Sequence, residues 1–336
     1  KNVSLHSIYS SGVCFTQCAD NYNVIKDRNM RKIYCIGETV YDIIFRNGKA
    51  VESCPGGPIL NTSVSLGRMG EKVYVVGDQA NDAIGNIIAD FLSDNNVSTK
   101  YLTLYNDAKS RVALAFLYDT REPAYSFYKI RVNGEIKITF PEVKQDDIVL
   151  FGSFTSIKAE VRDDLMACLR QAKEAGAIII YDPNFRPSHL KDRERAIPLI
   201  KENLAIADIV KGSNEDFQLI FDSNSALDTN EIVKQYGCQN FIYTANKYGV
   251  NLFTPDFHKI FDVPRITPVS TVGAGDSFNA GLIYGLIKQN VYASDLESMS
   301  LEVWRKVIYC AISFATHVCC SYDNFINDEF ISSFDM

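Results

Sequence analysis

A glycine-rich loop late in the sequence has the residue types for binding an anion beside an acid. Gly273, Ala274 and Gly275 precede Asp276, and the residues that follow have helical apolar spacing. Backbone amides at a helix N-terminus bind anions, and a phosphoryl group in transfer is one. The Asp276 carboxylate could then take the proton of a hydroxyl beside that anion. An ordinary glycine turn with an N-capping Asp would have the same local pattern.

Two clusters near the other end of the chain have residues suited to binding sugar hydroxyls. The amides of Gly56 and Gly57 and the Asn61 side chain, one turn later, offer hydrogen-bonding groups. Asp42 lies just past the carboxyl end of the first strand-like run, where open α/β sheets bind ligands. The structural alternatives are a loop with Pro58 as the first helical residue, and a solvated loop acid.

Composition limits the classes of protein to consider. The chain has 336 residues, 46% of them hydrophobic, which favours one large domain. A net charge of −7 argues against a nucleic-acid partner, and no apolar run is long enough for a membrane span. The nine cysteines are scattered and lack zinc spacing, which predicts reduced thiols in a cytoplasmic protein. Neither a P-loop nor a dinucleotide fingerprint is present.

Short apolar runs alternate with amphipathic stretches along most of the chain. The strand-like runs are 32–37, 72–77, 148–152, 177–182, 209–212 and 240–244. Clear helix-like stretches are 82–93, 161–175, 193–204 and 276–288, and the pattern after residue 281 predicts helix to about residue 320. This alternation predicts an α/β fold with a doubly wound, mostly parallel sheet.

Two regions of strand-type alternation interrupt this order, at about 40–50 and 109–131, the second with a turn near 119–123. We expect them to form a small antiparallel β-sheet that stands off the main sheet as a lid. An exposed sheet of this kind also suggests a homodimer that forms through its edge or face.

The first 29 residues lack both apolar periodicity and the pattern of a signal peptide. Met30 leads directly into the first apolar run, so we expect it to be the natural start. Residues 1–29 are therefore expected to be a non-native or disordered extension, with the folded domain at 30–336. A genuine ordered arm is the alternative.

Taken together, these motifs resemble those of the ribokinase-like (PfkB) family of carbohydrate kinases, over roughly residues 30–330. Gly56-Gly57 with Asn61 resembles the N-terminal signature of the family, and 271–276 resembles its C-terminal signature. Asp42 after Gly37-Glu38, and the run 182–186, are most similar to fructokinases and 2-keto-3-deoxygluconate kinases.

The resemblance implies a role for each matching position. Asp276 corresponds to the catalytic base, Gly273, Ala274 and Gly275 to the anion hole, and Asp42, Gly57 and Asn61 to sugar contacts. It implies that ATP or phosphate contacts come from Asn184, Arg186, Lys211, Ser213, Asp216, Thr244, Gly249 and Thr271. The implied cofactors are ATP and Mg²⁺, with no residue assigned as a direct metal ligand.

Four positions depart from the family pattern. Ser270 replaces an Asp that helps to hold a monovalent cation in many members, which leaves potassium dependence open. Asp216 stands where a longer Glu is usual, and Asn246 replaces a glycine of the nucleotide-binding turn. The run 319–321 reads Cys-Cys-Ser where a glycine-containing loop commonly covers the adenine. None of these positions belongs to the implied base or anion hole.

The sequence therefore predicts ATP-dependent phosphorylation of a primary sugar hydroxyl, with fructose as the leading acceptor. The alternatives are a 2-keto-3-deoxygluconate or nucleoside kinase of the same fold, and a catalytically impaired sugar-binding regulatory protein. Because Asp276 would lie at a helix N-terminus, we expect its pKa to be lowered.

Overall fold

A computed structural model describes residues 31–117, 124–128 and 136–335. The expected N-terminal extension at 1–29 lies outside the described residues, as do the turn predicted near 119–123 and the strand end predicted at 129–131. In chain order the strands are β1 (Lys32–Ile36), β2 (Val40–Arg46), β3 (Lys49–Gly56), β4 (Lys72–Ala80), β5 (Val97–Tyr105), β6 (Val112–Leu117), β7 (Ala124–Tyr128), β8 (Ile148–Gly152), β9 (Ile178–Asp182), β10 (Ile209–Ser213), β11 (Asn240–Thr244), β12 (Val250–Phe253) and β13 (His258–Phe261).

The α-helices in the described part of the chain are α1 (Pro58–Arg68), α2 (Ala83–Asp94), α3 (Arg162–Ala175), α4 (Arg193–Ile206), α5 (Asn214–Phe221), α6 (Ala226–Gln235), α7 (Ala274–Lys288), α8 (Leu301–Cys319) and α9 (Asp328–Ser333). The helix predicted from 281 to about 320 is two helices, because α7 ends before Asn290, which has a left-handed φ of 52°. None of these helices is long and apolar enough to cross a lipid bilayer.

The main sheet has nine strands in the order β13-β12-β11-β10-β9-β8-β1-β4-β5. From β11 to β5 in this order, all neighbouring strands pair in parallel. Strand β12 pairs antiparallel with β11, and β13 pairs antiparallel with β12. Strand β9, with the sequence Ile-Ile-Ile-Tyr-Asp, is buried along its whole length, as expected for a strand covered on both faces. The predicted doubly wound, mostly parallel sheet is confirmed.

Two hydrophobic clusters cover the two faces of this sheet. Successive residues of a strand point to opposite faces, so Ile33 of β1 belongs to one cluster and Tyr34 to the other. The first cluster includes residues of α1, α7 and α8, and the second includes residues of α3 and α4. Helices α1 and α7, which carry the two signature motifs, therefore pack on the same face.

The small sheet has the strand order β3-β2-β6-β7. Its outer pairs, β2–β3 and β6–β7, are antiparallel as predicted, whereas the central pair β2–β6 is parallel. Between these two strands the chain passes through β3, α1, β4, α2 and β5, and a long crossover of this kind permits parallel pairing. Strand β2 begins shortly after β1 ends, so the small sheet stands at the carboxyl edge of the main sheet.

Candidate active site

The glycine-rich loop forms the start of α7. Gly273 is the N-cap residue with a φ of 78°, and the first helical hydrogen bond runs from Ser277 N to Gly273 O at 2.8 Å. The Ala274 amide donates to Thr271 O at 3.3 Å, within the turn itself. The amides of Gly275 and Asp276 have no carbonyl one turn earlier in the helix, so they are the groups that can receive an anion.

Asp276 is buried and contacts the other signature motif directly. Its Oδ2 accepts a hydrogen bond of 2.8 Å from Asn61 Nδ2, across 215 residues of sequence. Its backbone carbonyl accepts a second bond, of 2.9 Å, from Thr62 Oγ1. Both donors lie in the first turns of α1, so the packing of α1 beside α7 brings the two motifs into one site.

Burial raises the pKa of Asp276 to about 6, although Asn61, Arg186 and Lys211 each act to lower it. The expectation of a lowered pKa was wrong, because removing the carboxylate from water outweighs the helix terminus and the nearby positive charges. Burial, followed by repulsion from Asp276, also raises the pKa of Asp42 to about 6. The electrostatic coupling of these two acids indicates that β2 and α7 face one common site.

The glycines of the first motif make room for Asp42. A Cβ atom on Gly56 would lie 2.2 Å from Asp42 Oδ2, so only a glycine leaves this carboxylate in place. Gly57 is the N-cap of α1 with a φ of 103°, and its carbonyl accepts a bond of 2.9 Å from Asn61 N. Asp42, Gly57 and Asn61, the three predicted sugar contacts, thus converge on the same side of Asp276.

A second acid, Asp182, joins three further elements of the site. Its Oδ2 accepts bonds from Lys211 Nζ at 2.8 Å and from Asn279 Nδ2 at 2.7 Å. Its Oδ1 accepts from Asn184 N at 3.1 Å. Lys211 Nζ also lies 3.3 Å from Gly275 O, which joins β10 to the start of α7.

Sequence reasoning did not assign Asp182 or Asn279 to the site. The available signal was their position. Asp182 ends a buried strand at the carboxyl edge, and Asn279 follows Asp276 by about one helical turn.

Asp216 serves the backbone around it. One oxygen accepts from Ser213 N at 2.7 Å and Ser213 Oγ at 2.6 Å, and the other from Phe185 N at 2.7 Å. Burial, followed by repulsion from Asp182, raises the pKa of this carboxyl. Asp216 therefore fixes the start of α5 and the loop after β9, where Asn184 and Arg186 lie.

The remaining predicted nucleotide contacts lie farther along the edge. Thr244 Oγ1 donates to Gly212 O at 3.4 Å, and Gly249 has a φ of 101° with Phe261 O where a Cβ would stand. Asn246, in place of the usual glycine, has a left-handed φ of 49°, a conformation that asparagine adopts more readily than most residues. Thr271 is exposed in the loop before α7. No described contact joins Thr244 or Gly249 to Asp276.

Glu38 has a structural role in the described site. Its two carboxylate oxygens accept bonds from Ser153 Oγ at 2.5 Å and from the amide of Thr155 at 3.0 Å, among others. These bonds hold the turn that follows β8 against the end of β1. Both carboxylate oxygens of Glu38 are therefore hydrogen-bonded within the protein, and they are less available to a ligand than those of Asp42.

The donor set fits a phosphate better than a protein-held metal ion. Within the described residues there is no group of three or more His, Cys, Asp or Glu side chains placed to hold a metal. Both Asp182 and Asp216 already accept several hydrogen bonds, whereas the Oδ1 of Asn214, at the start of α5, is buried without a described partner. The residues therefore fit a magnesium ion held mainly by phosphate oxygens and water.

Comparison with known proteins finds relatives among carbohydrate kinases. Residues 30–301 match the family model described as pfkB family carbohydrate kinase. The aminoimidazole riboside kinase of Salmonella typhimurium is 25% identical over 78% of this chain and 83% of its own length. The fructokinase of Rhizobium leguminosarum bv. trifolii is 29% identical over 77% of this chain and 81% of its own length.

Solved structures share the fold. A double mutant of the fructokinase of Vibrio cholerae, in its fructose-, ADP- and potassium-bound form, superposes with a TM-score of 0.80, at 19% identity over 91% of this chain and 98% of its own. The aminoimidazole riboside kinase of Salmonella enterica, with aminoimidazole riboside and an ATP analogue, gives a TM-score of 0.76 at 20% identity, over 90% of this chain and 99% of its own.

Proposed function

Because the chain belongs to the PfkB family of carbohydrate kinases, we propose that it phosphorylates a primary hydroxyl of fructose with ATP as the donor. The observation that carries the proposal is the hydrogen bond between Asn61 and Asp276. This bond supports the proposal because it joins Asn61, a proposed sugar contact, to Asp276, the proposed acceptor of the hydroxyl proton.

Each side of the site has a separate task in this reaction. Asp42, Gly57 and Asn61 orient the sugar, and Asp276 accepts the hydroxyl proton as the sugar oxygen attacks the phosphoryl group. A pKa of about 6 leaves Asp276 ionised at neutral pH while keeping it a stronger base than an exposed acid. The helix-start amides, with Lys211 and Arg186, oppose the negative charge of the transferred group. Bound ATP with Mg²⁺ supplies that group.

The small sheet is proposed to act as the lid. Its strand β2 carries Asp42, so a movement of the sheet that brings Asp42 to the sugar also covers the sugar. Exclusion of water at that stage limits the hydrolysis of ATP.

A nucleoside acceptor is the second candidate, because aminoimidazole riboside kinases are among the relatives in both sequence and structure. A sugar-binding protein without catalysis is disfavoured, since it would not require a buried Asp276 held by Asn61.

The test measures ADP release with fructose, 2-keto-3-deoxygluconate, aminoimidazole riboside and adenosine as acceptors. We expect turnover with fructose to exceed that with the other acceptors, and to disappear on chelation of Mg²⁺. Preferential turnover of a nucleoside would replace the fructose assignment, and no turnover with any acceptor would favour the regulatory alternative. A thermal-shift screen with a non-hydrolysable ATP analogue reports binding independently of rate.

Potassium dependence is expected to be weak. Ser270 lacks the charge of the usual Asp, and its Oγ accepts a hydrogen bond of 3.2 Å from Val272 N within the loop. The rate in choline chloride should therefore approach that in potassium chloride. A rate that requires potassium would show that backbone oxygens alone hold the ion.

A homodimer through the small sheet is also proposed. Val51, Phe127 and Tyr128 of this sheet are all more than half exposed, at 57%, 56% and 59%. Light scattering after size exclusion would show twice the chain mass, and Tyr128→Lys should return the monomer.

The seven described cysteines are free thiols, which supports the proposed cytoplasmic location.

A further inference from the structure

The chain segment after α8 forms one wall of the catalytic turn. Val269 N donates to Cys319 O at 2.8 Å, which holds the loop before α7 against the end of α8. A Cβ atom on Gly273 would lie 2.5 Å from Asn324 O and 2.7 Å from Asn324 Cα. The backbone of Asn324 thus packs directly on the residue that caps α7, so movement of one requires movement of the other.

Arg68, the last residue of α1, holds the next two residues of this segment. Its Nη1 donates to Ile326 O at 2.7 Å, and its guanidinium lies 4.6 Å from the centre of the Phe325 ring. Its Nε donates to Asn95 Oδ1 at 2.6 Å, which fixes the orientation of the guanidinium plane. A second, weaker bond joins Ile326 N to Ser65 Oγ of the same helix at 3.4 Å.

Both ends of helix α1 are therefore connected to the start of α7, one directly and one through the segment after α8. Asn61, near its N-terminus, bonds to the Asp276 carboxylate directly. Arg68, at its C-terminus, acts through Phe325 and Ile326 on Asn324, and so on Gly273. We propose that Arg68 is a positioning residue for phosphoryl transfer, which sets the anion-binding amides of α7 in register with the acceptor. This inference rests on the proposed kinase function.

The rest of the C-terminal region has its own anchors, so loss of Arg68 should act locally. Phe330 of α9 packs on Phe314 of α8 at 5.0 Å between ring centres, and Phe334 packs on the same ring at 5.3 Å. These contacts fix the chain beyond Asn327 without Arg68. Its removal should loosen 324–326 and the turn at Gly273 while leaving the hydrophobic core in place.

The test compares Arg68→Met and Arg68→Lys with Arg305→Met, which removes an exposed arginine of α8. We expect Arg68→Met to lower kcat at least tenfold with the KM for the acceptor changed less than twofold. Lys cannot satisfy two separate oxygens in one plane, so Arg68→Lys should recover only part of the rate. Asn61 still holds Asp276, so the inflection of the pH–rate profile should not move.

Hydrogen exchange provides a readout that does not depend on turnover. Peptides that cover 269–276 should exchange faster in Arg68→Met than in the wild type, and peptides that cover 209–216 should not. Unchanged hydrogen exchange together with an unchanged kcat would overturn the inference. A raised KM for the acceptor, a shifted pH inflection and a lower thermal stability, all in the same variant, would also overturn it. If Arg68→Met does not fold, Arg68→Lys decides by the same criteria. Wild-type turnover, measured first, tests the proposed function separately.

Discussion

Two buried acids of the proposed active site, Asp276 and Asp182, show how different surroundings give one residue type different roles. Their exposed fractions are similar, at 8% and 6%. Asp276 has one side-chain donor, the neutral amide of Asn61, whereas Asp182 accepts from the Lys211 ammonium and two further groups. Asp276, to which no cation is bonded among the described residues, is the proposed base, whereas Asp182 joins β9, β10 and α7 through Lys211 and Asn279.

The largest effect is expected at the acceptor side. Asp276→Asn keeps the shape of the side chain and an oxygen that can accept the hydrogen bond from Asn61. It removes the carboxylate that would act as the base. Turnover should fall by about a thousandfold, while sugar binding in a thermal-shift assay persists. Asp256→Asn, on the exposed turn between β12 and β13, is the matched control. Retention of more than about a tenth of the rate would exclude Asp276 as the base.

Lys211→Met tests the other half of the comparison. It leaves Asp182 buried without its cation, which should lower the free energy of unfolding by about 3–5 kcal/mol in urea denaturation. Arg305→Met is the control, because it breaks an ion pair with Glu302 in which both side chains are exposed, and it should cost less than about 1 kcal/mol.

The double variant Lys211→Met/Asp182→Asn removes both charges of the pair. It should recover most of the stability but not the rate, since Lys211 also faces the start of α7. Recovery of both would mean that Lys211 is purely structural.

Methyl groups can be added to each side separately. In Gly56→Ala the new Cβ displaces the Asp42 carboxylate, so the KM for the acceptor should rise by about tenfold with little change in the KM for ATP. In Gly275→Ala the Cβ lies 3.2 Å from Lys211 Nζ, a milder overlap than the 2.2 Å at Gly56. That variant should have a smaller effect, confined to kcat and ATP. Equal effects on both substrates would contradict the division into two sides.

The smallest effects concern pH. Since Asp276 must be ionised to act, kcat/KM should fall as pH drops below about 6. The bond from Asn61 lowers the pKa of Asp276, so Asn61→Leu should move this inflection to higher pH. An inflection that stays in place would show that Asn61 does not act on the base.

The same pKa predicts the sign of a stability change. Folding raises the pKa of Asp276 from 3.8 to about 6, so the fold favours the protonated acid. Its contribution to stability is full below pH 3.8 and is lost as pH rises through about 6. Urea unfolding of the wild type and Asp276→Asn between these values should show a steeper decline for the wild type.

The sequence predicted some elements better than others for physical reasons. Strands β8 and β11 were placed at their observed bounds, because buried parallel strands are continuous apolar runs between turn residues. Strands β5, β12 and β13 were not predicted, since all three mix polar with apolar residues and the last two have only four residues each. The parallel pairing of β2 with β6 was missed because pairing over a long crossover leaves no local signal.

Apolar periodicity predicted the fold class, and the spacing of glycines around Asp276 predicted the loop that we propose to be catalytic. The role of each polar group became apparent from the folded structure alone. The raised pKa of Asp276, the pairing of Lys211 with Asp182 and the reach of Arg68 to Ile326 depend on burial and on contacts between distant residues. These properties belong to the packing of α1, α7 and the C-terminal segment, because no local pattern encodes the surroundings of a charge.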